Sequence, residues 1–366
     1  MKIAFLCKRQ YMSKDVILDK YARLYEMPHQ LSLLGHEVAG FCLSYQSHAE
    51  GVWNETTAQK KLLWSSKSYL GLKKIGLLAY PLYLLKKLSD FQPDIIIAAS
   101  DIPHIIWGAW LAKKLNKPFV ADLYDNFESY GQAKIPLLRN LFHKALDQAS
   151  LVTTTSHNLA KKIRTEHPAV KHVLALPSVI DKALFKVGDQ RQARQQLNLP
   201  LDVPLIGTAG GLTKMKGITD LFRAWEIIKQ RDPQVHLVLA GPIEVQIPIP
   251  QDERVIYLGL LPHQQVVTLF QSLDVGVLCI PDDAFGQYCF PQKAYEMLAT
   301  ELTIVSTAIG DMVELVGQHQ ELLYSSGNFM QLADCVMQQL QHYQKLDVHI
   351  PDWSENIQTM NGYLTL

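Results

Sequence analysis

Gly207-Thr-Ala-Gly-Gly-Leu-Thr-Lys-Met-Lys-Gly217 is a segment equipped to hold an anion. It follows an apolar run and precedes Ile218, Leu221, Phe222 and Trp225, which recur at helical spacing. Gly210 and Gly211 let a backbone approach a ligand closely, and a helix N-terminus offers unpaired N–H groups and partial positive charge. Lys214 and Lys216 add full charges. Together they describe a phosphate or diphosphate site; a tight strand-to-helix turn with solvated lysines is the other reading. The segment is neither GxxxxGK[ST] nor GxGxxG.

A second loop runs from Asp282 to Glu296 and contains Tyr288, Phe290, Pro291, Gln292 and Lys293. Pro291 suits the first turn of a helix. On that helix Gln292 and Lys293 share a face with Glu296, which could accept hydrogen bonds from vicinal hydroxyls such as those of a ribose. A surface Lys–Glu pair is the plainer reading. A third segment, Thr303 to Glu314, reads as strand, small polar turn and helix. Asp311 and Glu314 would complement the helix dipole or reach a ligand. In the first half, Ala121 to Ser129 ends a strand with Asp125 and Glu128, candidates for acceptor contact or general-base work, or for plain loop solvation. Lys8, Arg9, Gln10, Lys14 and Asp15 form a charged loop, an anion clamp or simply an exposed turn.

Metal chemistry finds little support. The sequence has no D-x-D pair and no HExxH, and its 13 His residues are scattered. His104, His157 and His263 read as ordinary helix-start or surface residues. No G-x-S-x-G points to a hydrolase triad.

Short apolar strands alternating with helices must position these loops. Lys2–Cys7, Val38–Leu43, Asp94–Ala99, Pro118–Leu123, Leu151–Thr155 and Val173–Leu176 read as strands. Helices are expected at 18–34, bent at Pro28, and at 105–115 and 137–148. The second half repeats the pattern, with strands at 204–208, 236–240, 255–258, 275–280 and 303–306. Its helices are expected at 218–230, 264–272, 291–299 and 329–346. Such alternation implies an α/β fold of two doubly wound halves with a cleft between them, and ligands outside the carboxyl ends of the strands. The expected domains are 1–182 and 183–350, with a last helix at 351–366 returning to the first and Trp353 as its anchor.

The 366 residues include 35 Lys and Arg against 35 Asp and Glu, so the basic surplus of a general nucleic-acid binder is missing. With 48% hydrophobic and 19% charged residues, a large core forms and global disorder is excluded. The five Cys have no CxxC spacing, which fits a reducing cytosol rather than a disulfide scaffold. The N-terminal apolar stretch reads as a strand rather than a signal peptide, and no run is long enough to span a membrane. Lys67 to Leu88, flanked by Lys73, Lys74, Lys86 and Lys87, could lie on anionic lipid or cover the sheet.

These residues resemble the GT-B glycosyltransferases of family 4, retaining enzymes that use nucleotide sugars. The resemblance rests on Gly35-His36-Glu37-Val38, Lys216-Gly217, Leu237-Val-Leu-Ala-Gly241, Val255-Ile-Tyr-Leu-Gly259, Pro291-x-Lys293-x-x-Glu296-x-Leu-Ala299 and Ile304-Val-Ser-Thr with Glu314. It implies that Lys216 neutralises the donor diphosphate and that Glu296 holds the ribose as the second Glu of E-x7-E. Backbone near Phe290 and Pro291 would approach the phosphates, and the neighbourhood of Glu314 would line the nucleotide pocket. The expected catalytic residues are Asp125, Lys216 and Glu296. The expected donor-binding residues are Gly210, Gly211, Lys214, Lys216, Tyr288, Phe290, Pro291, Lys293, Glu296 and Glu314. No metal and no cofactor is expected beyond a nucleotide-diphosphate sugar of the UDP or GDP type as co-substrate.

The chain departs from the family at several places. The first Glu of E-x7-E is Tyr288, for which Asp282 or Asp283 could substitute. The usual diphosphate Arg is Gly211, with Lys214 its candidate replacement. A His before Asp125 is Tyr124, the usual Gly-Gly is missing from Lys8 to Asp15, and Ser178-Val-Ile-Asp181 stands at the interdomain motif. The expected activity is sugar transfer to a glycan or lipid-linked acceptor in capsule or lipopolysaccharide assembly. The expected place is the cytoplasm, including the inner-membrane surface. A nucleotide-sugar epimerase and a non-catalytic subunit binding a partner or glycan are the alternatives.

Overall fold

The structure is a computed structural model that describes residues 1–11, 14–46, 48–69 and 76–364, without the side chains of residues 76–78. The chain forms two compact units, Met1–Ser178 with the segment from Trp353 onward, and Val179–Asp352.

The first unit begins with β1 (Lys2–Lys8), a hairpin of β2 (Gln10–Tyr11) and β3 (Lys14–Asp15), α1 (Ala22–Leu33), β4 (Glu37–Ser44), β5 (Gly51–Asn54) and β6 (Lys61–Ser68). It continues through α2 (Gly76–Phe91), β7 (Ile95–Ala99), α3 (Ile102–Leu115), β8 (Phe119–Leu123), α4 (Pro136–Leu146), β9 (Leu151–Thr154), α5 (His157–Glu166) and β10 (His172–Ala175). The main sheet has the order β10-β9-β8-β7-β1-β4-β6-β5, parallel except for β5. Ile3 through Cys7 are fully buried, as a central strand with both faces covered requires. The order reverses direction between β1 and β7, which makes the ends of those strands the natural ligand crevice of this unit.

The second unit contains α6 (Gln190–Gln196), β11 (Leu205–Ala209), α7 (Ile218–Arg231), β12 (His236–Ala240), β13 (Val255–Tyr257), α8 (His263–Ser272) and β14 (Val275–Leu278). Then come α9 (Gln292–Ala299), β15 (Thr303–Thr307), α10 (Asp311–Val316), β16 (Leu323–Tyr324) and α11 (Phe329–Gln341). Its sheet runs β13-β12-β11-β14-β15-β16, all parallel, the doubly wound order with its switch point between β11 and β14. Trp225, Leu221 and Ile228 of α7 are fully buried on one face of this sheet, and Met297 of α9 belongs to the core cluster on the other.

Helix α12 (Trp353–Leu364) belongs to the first unit and packs on α1. Trp353 is half-buried at its start and is not the anchor; Ile357, Met360 and Leu364 are, in one cluster with Leu24, Met27 and Leu31. Asn356 Nδ2 also donates to the carbonyl of Pro177 at 2.9 Å.

Several elements differ from expectation. α1 starts at Ala22, and α11 ends at Gln341. β2, β3, β5, β6, α5, α6 and β16 go beyond the elements expected from the sequence. The membrane-facing reading of 67–88 meets α2, which buries Tyr80, Leu84 and Leu88 one turn apart in the core. The exposed residues among its described side chains are Leu82, Lys86, Lys87, Ser89 and Asp90, while Lys73 and Lys74 lie outside the described residues. Among the described residues no helix is long and apolar enough to cross a membrane. α6 starts at a side-chain cap: Asp189 accepts from Gln192 N at 2.7 Å. Asp189→Ala is expected to cost about 1 kcal/mol in chemical denaturation, with unchanged slope.

Candidate functional site

In the second unit, the loops after β11 and β14 converge at the switch point. Gly210 turns out of β11 at φ +114°, and Gly241 leaves β12 at φ +119°. A Cβ on Gly241 would stand 2.1 Å from the Gly210 carbonyl oxygen, so only glycine permits this approach. The chain then passes through a single turn at Lys214–Lys216 into Gly217, φ +70°, which opens α7.

Lys293 comes to this loop from α9. A Cβ on Gly210 would lie 2.8 Å from Lys293 Nζ, which places the ammonium against the glycine. Lys216 is exposed, with its Nζ 4.4 Å from the centre of the Phe285 ring. Burial pulls the Lys293 ammonium below the usual lysine range; Glu296 opposes that shift and Lys216 adds to it. Two cations that repel each other beside a glycine turn and a helix N-terminus make a positive region whose repulsion an anion would relieve.

Glu296 lies one turn further along α9 and is half-buried. Its Oε1 accepts from Gln292 Nε2 at 3.2 Å. Burial holds its carboxyl above the usual range, against the pull of His263 and Lys293. His263, read from the sequence as ordinary, thus faces this carboxylate from the start of α8; only the packing of α8 against α9 reveals it. Pro291 precedes the first residue of α9, and the Phe290 ring packs on Tyr295 at a tilt of 50° with ring centres 4.6 Å apart. Tyr288 is half-buried in the same loop.

The other candidates fall as follows. Lys214 is exposed, and its backbone N–H donates to Glu244. The cation pressed against the glycine turn is therefore Lys293 rather than Lys214. Asp282 and Asp283 are used locally: Asp283 Oδ1 accepts from the N–H groups of Phe285 and Gly286, and Asp282 Oδ1 from Gln287. Glu314 is exposed in the first turn of α10, while Asp311 beside it is buried. The α10 loop does reach the second loop, since a Cβ on Gly310 would be 3.0 Å from the Gln287 carbonyl oxygen.

Residues 22–183 match the pattern described as Glycosyltransferase Family 4, and residues 203–342 match Glycosyl transferases group 1. The chain carries a glycosyltransferase family 4 domain followed by a glycosyl transferases group 1 domain. TuaC of Bacillus subtilis, named for teichuronic acid biosynthesis, is 28% identical over 68% of this chain and 62% of its own length. N-acetyl-alpha-D-glucosaminyl L-malate synthase of Bacillus anthracis is 22% identical over 71% of this chain and 70% of that protein. Sucrose-phosphate synthase of Thermosynechococcus elongatus aligns with TM-score 0.71 at 18% identity, covering 99% of this chain and 93% of that one. HepE of Anabaena, solved with UDP, aligns with TM-score 0.68 at 18% identity over 100% and 97%. These likenesses give the fold, GT-B.

The first unit, which carries the family 4 match, holds Asp125. Its Oδ1 accepts from Asn126 N at 2.7 Å, and the Tyr130 hydroxyl donates to its Oδ2. Lys8 Nζ donates to the Tyr124 hydroxyl at 2.7 Å, and burial pulls Lys8 below the usual lysine range against Asp101, Cys7 and Asp125. Beneath this loop the buried pair Arg23–Asp122 closes at 2.6 Å, and Thr153 donates to the same carboxylate. That network positions the end of β8.

Two charged candidates are structural. Glu128 accepts from Arg139, His143 and Lys162; burial pushes its carboxyl up, but these partners, Lys162 foremost, hold it low. That leaves it unsuited to general-base work. Arg9 is buried, paired with Asp15 at 2.9 Å and lying over the Trp53 ring, so it is neither an exposed turn nor a free clamp.

Proposed function

We propose that this chain is a retaining glycosyltransferase that moves a sugar from a nucleoside-diphosphate sugar to an acceptor hydroxyl. The pairing of Lys216 and Lys293 beside the Gly210 turn carries the reading, because it offers two positive charges and the positive end of the α7 dipole to one diphosphate. Glu296 then takes the ribose hydroxyls, and the backbone at Phe290 and Pro291 faces the donor. UDP and UDP-glucose in HepE, which shares the fold, favour a uridine nucleotide. The name of TuaC, which assigns it to teichuronic acid biosynthesis, favours a surface polysaccharide as the product.

In this reading the acceptor oxygen attacks the anomeric carbon on the face from which the diphosphate leaves. The carbon–phosphate oxygen bond breaks as the new glycosidic bond forms, and the acceptor proton passes to the departing phosphate. Lys216 and Lys293 stabilise the charge that develops there. Asp125 is assigned to orienting the acceptor. A glycan or lipid-linked acceptor, met at the cytoplasmic face of a membrane, belongs to the same proposal. Exposed Leu82 near Lys86 and Lys87, and Ile135 and Leu137 near Lys134, are the surfaces suited to that contact.

The test is calorimetric titration with UDP, GDP, ADP and CMP. One nucleoside diphosphate should bind at micromolar affinity, about 8 kcal/mol. If none binds, the non-catalytic subunit takes precedence. An epimerase would convert the nucleotide sugar without releasing the nucleotide.

The affinity should also follow pH in a defined way. The site needs Glu296 ionised and Lys293 protonated. Glu296 is raised, so affinity falls as pH drops through its upward-shifted value; Lys293 is lowered, so affinity falls as pH rises through its downward-shifted value. UDP titrations across pH should give a bell whose acid limb disappears in Glu296→Gln.

A further inference from the structure

We infer that the second unit carries a second ligand site, for a neutral saccharide, at the end of its sheet opposite the Gly210 turn. Pro204, Asp274 and Leu302, which line it, precede β11, β14 and β15, whereas the donor loops follow those strands. The cavity measures about 550 Å³, within the roughly 300–1,000 Å³ typical of small-molecule sites. The inference rests on this cavity alone and does not depend on the donor assignment.

Its chemistry points to hydroxyl groups rather than charge. The three carboxylates at the wall are each matched by a cation: Asp202 by Arg191 at 2.9 Å, Asp274 by Arg194 at 2.7 Å, and Glu301 by Lys345 at 2.7 Å. A charged ligand would therefore have to break a pair, while hydroxyls can donate to the lone pairs that remain. Gln339 is 3% exposed, and its Oε1 accepts from Gln344 N at 3.1 Å. Among the described residues its Nε2 has no partner, so its two N–H donors are left to the cavity. Gln190 and Gln271 donate their amide nitrogens to protein oxygens, which leaves their Oε1 atoms as acceptors.

The apolar part completes the match. Phe270, Leu273 and Leu302 are buried in the floor. Tyr343 stands at the rim, 57% exposed, with its hydroxyl tied to the Glu301 carbonyl at 2.8 Å. A tethered aromatic ring beside amide and carboxylate groups suits a sugar, which has apolar C–H faces and a hydroxyl edge.

The experiment is saturation-transfer NMR on the full chain with glucose, N-acetylglucosamine, maltose and cellobiose, in the presence of UDP. Transfer is expected in the wild type and in Glu296→Ala, and should be about tenfold weaker in Tyr343→Ala, where one aromatic contact is lost. Tyr343 is exposed, so unchanged melting of that variant checks that the loss is local. Stronger binding of the disaccharides assigns the site to a glycan chain; equal binding of glucose assigns it to a free sugar. No transfer to any of the four, or undiminished transfer in Tyr343→Ala, overturns the inference, while failure of UDP to bind would bear only on the donor site.

Discussion

Lys216→Ala is expected to lower kcat by roughly 10²–10³, about 2.7–4 kcal/mol of transition-state stabilisation. The size follows from where the charge appears. In the ground state the diphosphate is spread over two phosphates and partly solvated; as the sugar departs, a further negative charge collects on the leaving oxygen. An ammonium held close to that oxygen acts more strongly on the transition state than on the bound donor. Lys216 is exposed, so it makes no contribution to the core that its removal would confuse with catalysis. Its Nζ sits against the Phe285 ring, which fixes the direction of the side chain without neutralising it. KM for the donor should therefore change less than kcat, and Lys216→Arg should recover much of the rate. Lys293→Ala should show the opposite split, with a larger loss of nucleotide affinity, because this half-buried ammonium stands against the Gly210 turn before any chemistry occurs. If Lys216→Ala turns over at the wild-type rate, the diphosphate is not seated at the start of α7.

Local rules reveal part of this site in the sequence. Gly210, Lys216 and Gly217 stand between a buried apolar run and an amphipathic helix, and Pro291 precedes a helix whose polar face carries Lys293 and Glu296. What local pattern cannot show is that Lys293 closes on Gly210. Those residues are far apart in sequence and meet because β11 and β14 pair at the switch point. The hidden role of His263 has the same origin.

Charged loops misled for a related reason. Lys8 to Asp15 reads as solvated because its residues are charged, yet Arg9 and Asp15 satisfy each other and are both buried. Nothing within the loop announces that Trp53 and Ser66 would cover the guanidinium. Glu128 likewise reads as free for chemistry from its own segment, because its three partners come from α4 and α5. α5 itself was overlooked because only Leu159, Ala160 and Ile163 are buried, and its other residues are polar. In β6, Lys61–Ser68, alternation is present, but Ser and Lys occupy many of its places, which weakens the strand pattern.

Glu296→Ala is expected to weaken UDP binding about a hundredfold, close to 3 kcal/mol, since hydrogen bonds to a charged group contribute roughly 1.5–3 kcal/mol each. Two vicinal hydroxyls on one carboxylate account for the effect. Burial raises the Glu296 carboxyl because the surrounding protein solvates its charge poorly; hydroxyl donors from the ribose would favour the ionised form. Proton release on UDP binding near the raised value should therefore accompany the wild type and vanish in the alanine variant. Glu296→Gln keeps the shape and the link to α9 but loses the charge, so it should fall between the two. The decisive comparison uses 2′-deoxy-UDP. Against the wild type this ligand should bind at least several-fold more weakly than UDP, because one acceptor bond is lost. Against Glu296→Ala the two ligands should bind alike, because the partner of the missing hydroxyl is already gone. A preference for UDP that persists in Glu296→Ala would place the ribose elsewhere and leave Glu296 as a partner of Gln292 and Lys293 alone.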